Sequence, residues 1–221
     1  MPLTAQHIIT RARILLNDED GTRWPDGEML IWLSDALLAA VMAKPSAATE
    51  HIVVDLVVGT IQRLPDTAAT LVRVIANVDA QDVPTNAVTM TERATLDQHY
   101  TGWHNPTVAP FNALVEQVAH DPLEPDTFYV YPGNDGNGRL MLAVAPVPDD
   151  VTTLESEIPF SPLYRGAFTD YLVHRAYMKD GESAAAAAKS QAHLQLFNAA
   201  LGLQGSAELG ANPDSANAVE V

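Results

Sequence analysis

The sequence predicts an α+β fold: an antiparallel helical bundle built from N- and C-terminal helix pairs, with an antiparallel β domain inserted between them. Two observations carry this expectation. Apolar residues recur at spacings of 3 and 4 near both ends of the chain. The stretch between is β-branched, partly alternating and repeatedly broken by proline. Residues 1–48 and 158–203 are assigned to the bundle, 49–157 to the β domain, and 204–221 to an extended C-terminal arm.

Each element follows from its own pattern. Ile8, Ala12 and Leu15 form one apolar stripe, predicting a helix over Thr4 to Leu16 that ends in the polar run NDEDGTR. A second helix opens after Trp24-Pro25, with Asp26 and Glu28 suited to the positive end of its dipole. Leu30, Leu33, Leu37 and Val41 are its buried face, widened by Met29 and Trp32, and Lys44-Pro45 stops it. His51–Val58, Ala69–Val78 and Ala87–Ala94 read as strands, and Gly59–Pro65 as a loop. Phe128–Pro132 and Arg139–Val144 flank PGNDGNG, which predicts a β-hairpin.

Helices return after Pro162. Leu163, Ala167, Phe168, Tyr171 and Leu172 predict one buried face, and Leu194, Phe197 and Leu201 another on a helix expected to stop at Gly202. The alanine run Ala184–Ala188 suggests a helix packed closely against a neighbour, although helix propensity alone also explains it. From Gln204 the composition turns small and polar, a segment expected to be ordered only when another chain holds it.

Composition narrows the function. The chain has no cysteine, so disulfides, thiolate metal sites and cysteine nucleophiles are excluded. Twelve Lys and Arg against 28 Asp and Glu give a formal charge of -16, which disfavours affinity for a phosphate backbone. Such charge serves solubility, or a wall along which DNA slides without adhering. No apolar run reaches the roughly 20 residues of a membrane span, and the first residues lack signal-peptide order.

No catalytic pattern emerges. Asp97, His99 and His104 are the nearest approach to a metal set, without HExxH or calcium-loop spacing. PGNDGNG lacks the GK[ST] ending of a phosphate loop, and no GxSxG elbow exists. The acidic pairs Asp149-Asp150 and Glu155/Glu157 read as solvated loop charges, and His174 as a core or interface histidine. No enzyme, cofactor or metal is expected.

Ala12 to Ala47 departs from generic globular sequence. Its distinctive residues are Leu15, Asn17, Asp18, Arg23, Trp24, Asp26, Glu28, Leu30, Trp32, Leu33, Ser34, Asp35 and Pro45. Further blocks follow in order: G-T-x-Q-x-L-P from Gly59, FYVYP, P-x-Y-R-x-A-x-x-D-Y-L-V-H-R-A-Y-x-K-D from Pro162, and F-x-x-x-L-G from Phe197. These blocks resemble the head-to-tail adaptor (connector) family of short-tailed, podovirus-type bacteriophages. The resemblance implies a ring of twelve copies in the virion neck, made in the host cytoplasm, between the portal protein and a tail nozzle or tail-tube protein. Tail fibres are a further candidate partner, and the genome passes through the lumen without sequence-specific binding. Subunit or portal interface candidates are Arg23, Trp24, Trp32, Tyr164, Arg165, His174 and Tyr177. The reach and planar fork of Arg23 suit it to clamp a carboxylate or helix carbonyls on this or a neighbouring subunit. The alternatives are another neck or tail-completion protein, or an acidic metal-binding hydrolase using His99 and His104.

Overall fold

In the computed structural model the described residues are 2–181 and 183–211, with 203–211 described by their backbone alone. The fold is α+β. It divides into two compact units, one comprising the chain up to Ala47 and from Pro148 onward, the other Ala48–Val147.

The first unit is helical. Helices α1 (Ala5–Leu16) and α2 (Asp26–Ala43) precede the β unit in sequence; α4 (Arg165–Lys179) and α5 (Ala184–Ala211) follow it. The core forms where α4 packs against α1, α2 and α5. Helix α1 buries Ala5, Ile8, Ile9, Ala12 and Leu16, so its inward face is turned by one residue from the expected stripe, and Leu15 is 51% exposed. Its first amides do not go unpaired. Those of Ala5 and Gln6 donate to the carbonyls of Ser156 and Leu154, while Ile158 donates to Leu3. Residues 154–158 thus run beside the chain start and seat α1.

Helix α2 begins after Pro25, carries Asp26 and Glu28 in its first turn, and closes with the Lys44 amide on the Ala40 carbonyl. All six residues expected on its inner face are buried. In α4 the inner face is Ala167, Phe168, Leu172, Val173 and Ala176. Leu163, expected on that face, lies in the 3-10 turn Pro162–Tyr164 and is 79% exposed. Phe168 packs edge-on to Phe160 with centroids 5.0 Å apart. Helix α5 buries Phe197 and Leu201. The stop expected at Gly202 is absent: the helix continues to Ala211, so residues 204–211 of the expected extended arm are helical. Residues 212–221 lie outside the described residues. A glycine can sit in a helix at a cost of about 1 kcal/mol, and no proline follows until Pro213 to enforce a stop.

The second unit holds strands β1 (Glu50–Asp55), β2 (Gly59–Arg63), β3 (Ala68–Val78), β4 (Pro84–Ala87), β5 (Thr89–Thr91), β6 (Gln117–His120), β7 (Thr127–Asn134) and β8 (Arg139–Pro146), and the short helix α3 (Arg93–His99). Two four-stranded sheets run in the orders β1-β8-β3-β4 and β2-β7-β6-β5. Every pairing is antiparallel except β5 with β6. Leu71, Val74, Leu140, Leu142 and Val144 of the first sheet share one core with Val118, Phe128 and Val130 of the second. This is a sheet-on-sheet core of alternating inward residues.

Three expectations are corrected here. Gly59–Pro65 is not a loop, because Gly59–Arg63 pairs with β7. Ala87–Ala94 is not one strand: it divides among the end of β4, β5 and the start of α3. The two strands around PGNDGNG do not form a hairpin with each other. β7 pairs with β2 and β6, β8 pairs with β1 and β3, and the loop crosses from one sheet to the other. Buried Asn134 organises that crossing. Its amide donates to the carbonyls of Asn112 and Ala113, and its Oδ1 accepts from Gly136 and Gly138.

Candidate assembly surface

A buried polar cluster of the helical unit lies at the connection between α1 and α2. Asn17 ends α1 in the left-handed conformation (φ 52°), and Gly21 adopts φ 66°. A Cβ on Gly21 would lie 2.4 Å from a guanidinium nitrogen of Arg13. Arg13 is buried, and donates to the Asp18 carbonyl at 3.2 Å, to the Asp18 carboxylate at 3.3 Å and to Asp26 at 2.5 Å. Asp18 also accepts from the amides of Arg23 (3.0 Å) and Trp24 (3.1 Å). The amide of Arg23, then that of Trp24 and the Arg13 charge, hold the Asp18 carboxyl below its usual range.

This cluster presents Arg23 and Trp24. Trp24 is buried, and the Arg23 guanidinium lies 4.8 Å from its ring centroid. Arg23 also reaches Asp180, the residue that follows α4, at 2.6 Å, so the carboxylate it clamps belongs to its own chain. Two further ion pairs join α2 to α4: Glu28 with Lys179 at 2.6 Å and Asp35 with Arg175 at 2.8 Å. Because the lower number on α2 pairs with the higher on α4, the two helices run antiparallel. Arg175 sits 6.0 Å from the Trp32 and Tyr171 rings, and Trp32 is buried beneath it.

The junction of α4 with α5 uses the remaining candidates. The ring of His174 meets the Ser190 hydroxyl at 2.9 Å and the Ser190 carbonyl at 3.0 Å. His193 pairs with Asp170 at 2.8 Å, and Tyr177 stacks on His193 while Lys189 lies 5.1 Å from the Tyr177 centroid. Tyr171 packs edge-on to Phe197. Tyr164 is buried against Phe160. Arg165 is half-buried and lines a shallow groove with His7 and Arg11 of α1. The structure therefore gathers Arg23 with Trp24 and Trp32 with Arg175, and sets His174 and Tyr177 against different residues of α5.

In the β unit, the metal candidates have other partners. Asp97 accepts from the Trp103 indole at 3.0 Å and pairs with Arg93, while His99 bonds the Thr95 carbonyl. His104 meets the Thr60 hydroxyl at 2.6 Å, and burial followed by the Arg93 charge lowers its pKa. Among the described residues no group of three or more His, Asp or Glu is placed to hold a metal ion. An open pocket of ≈ 570 Å³ lies beside these residues, lined by Val58, Ile61, Arg93, His104, Phe111 and Tyr129. Among the described residues no helix is long and apolar enough to cross a membrane.

Sequence reasoning missed Arg13, Gln62, Asn77 and Asn134. All are buried. The Asn77 side chain exchanges bonds with the backbone of Val115, and that of Gln62 with the backbone of Val57. A polar residue inside an apolar strand, as in RVIANV, is the signal that marks such positions.

Comparison with known proteins adds two findings. A family model described as SU10 adaptor protein matches residues 3–219. No curated protein matches the chain.

Proposed function

The chain belongs to the SU10 adaptor protein family of bacteriophage structural proteins, and on that footing we propose that it builds the ring joining the portal to the tail nozzle and lining the DNA exit channel. The observation that carries this reading is the family match over nearly the entire chain, 3–219. The ring has twelve copies. The helical unit, read as an antiparallel bundle of N- and C-terminal pairs, meets the portal and neighbouring subunits. The β unit faces the tail, and the segment after residue 203 is an arm held by a partner chain.

Charge supports the reading. A formal charge of -16 per copy repels phosphate, so a lumen built from such subunits lets DNA pass without adhering. Arg11 and Arg165, which share one groove and make no ion pair among the described residues, are the points of the helical unit suited to carboxylates of the portal.

The test is reconstitution. Purified protein mixed with portal rings of the same phage is expected to give particles with an added ring of density on the tail-facing side in electron micrographs. Portal rings that stay bare across a concentration series overturn the proposal.

A further inference from the structure

Helices α2 and α5 each carry an apolar face that stands exposed among the described residues. On α2 the residues are Ile31, Leu38 and Met42, exposed by 63%, 49% and 77%. Their spacing of 7 and 4 sets them in one row, opposite the buried face of Leu33, Leu37 and Ala40. A helix with apolar rows on two opposite faces has a second face suited to be covered by a neighbour. On α5, Ala185, Ala188, Ala192, Leu196 and Ala199 are all exposed. Their spacing of 3, 4, 4 and 3 makes a continuous seam, turned away from buried Ser190, Phe197 and Leu201.

We propose that these two seams are the two halves of one contact between copies: the α2 row of one subunit seats on the α5 seam of the next. This rests on the adaptor reading only in requiring many copies. Three observations select a second copy as the occupant. The relief is complementary, since α2 offers large side chains and α5 mainly alanines, which admit close approach of a neighbouring helix. The longer seam spans the shorter row, at about 21 Å and about 17 Å for 14 and 11 residue steps of 1.5 Å each. Finally, both helices pack on α4 but on different sides of it. Asp170, His174 and Tyr177 face α5, whereas Arg175 and Lys179 face α2. A contact joining two different faces of the same unit is head-to-tail, and head-to-tail contacts repeat into a closed ring when the rotation allows.

The chain has no cysteine, so crosslinking reads out the contact directly. A variant carrying both Leu38→Cys and Ala192→Cys is expected to give a ladder of disulfide-linked oligomers on mild oxidation, and the two single variants mixed together a dimer alone. Leu38→Glu with Met42→Glu, or Ala188→Glu with Leu196→Glu, is expected to reduce self-association at least tenfold. Mixing these two charged variants restores a dimer that grows no further. Unchanged circular dichroism shows that the variants remain folded. Three results overturn the proposal: a double-cysteine variant that stays uncrosslinked, an intrachain disulfide, or Leu38→Cys dimerising with itself as readily as with Ala192→Cys. Portal binding is scored in a separate assay, so a ladder without portal binding removes the adaptor reading and leaves this contact standing.

Discussion

Asp18 concentrates much of the local chemistry in one side chain. It accepts two backbone amides and a guanidinium, and its folded pKa lies below its unfolded value. A depressed carboxyl contributes stability above its unfolded pKa of about 3.9 and loses that contribution as pH falls through the folded value. Asp18→Asn is therefore expected to lower the melting temperature at neutral pH. The gap from the parent protein should narrow as pH drops below about 4, which melting curves across a pH series check. Gly21→Ala should also destabilise, by at least about 1 kcal/mol for the left-handed backbone, with a further cost for displacing Arg13. Denaturant midpoints measure it. Of these residues, Asp18, Arg23 and Trp24 were legible as a group. Arg13 was not, because a single arginine on a helix carries no mark that the connection after it will bring Asp18 and Asp26 onto its guanidinium.

The helices were legible because their spacing reports a buried face directly, whereas the strands show where that legibility ends. PGNDGNG reads as a hairpin turn because glycine and asparagine favour reversal wherever they occur. Local sequence carries no information about which sheet each flanking strand joins. That choice belongs to β1, β2, β3 and β6, distant in sequence. Likewise β2 does not read as a strand in the sequence, since its inward positions are the polar Thr60 and Gln62 while Ile61 points out. Polar side chains satisfied in a core invert the expected alternation. Asn134→Ala tests the crossing. It takes a partner from the Ala113 carbonyl and from the Gly136 and Gly138 amides, while the Asn112 carbonyl keeps the Asp135 amide. Leaving the buried Gly138 amide unpaired costs about 1–3 kcal/mol, and the urea midpoint should fall. Between α2 and α4 the ion pairs differ in weight. Lys179→Ala removes a mostly exposed pair and should cost under about 1 kcal/mol. Arg175→Ala also removes contacts to the Trp32 and Tyr171 rings and should cost more, about 1–2 kcal/mol.

For the whole molecule, net charge and assembly oppose each other. Copies at -16 repel across any shared surface, and salt shortens the range of that repulsion to about 8 Å near 0.15 M. Self-association measured by sedimentation is expected to strengthen as sodium chloride rises from low to moderate concentration. A protein whose contacts were chiefly ionic would show the reverse. The two units are each compact, with buried apolar residues of their own.

The β unit enters on β1 and leaves on β8, and those strands are direct partners, with Glu50 opposite Val144. Its two ends therefore stand side by side, like the legs of a clasp. Such an insert can be lifted out of the chain and its ends rejoined by a short bridge, or replaced by a different insert with the same narrow footing. A lineage keeping the helical part constant is thus free to exchange the other wholesale, acquiring a new counterpart in one recombination event without redesigning the old one.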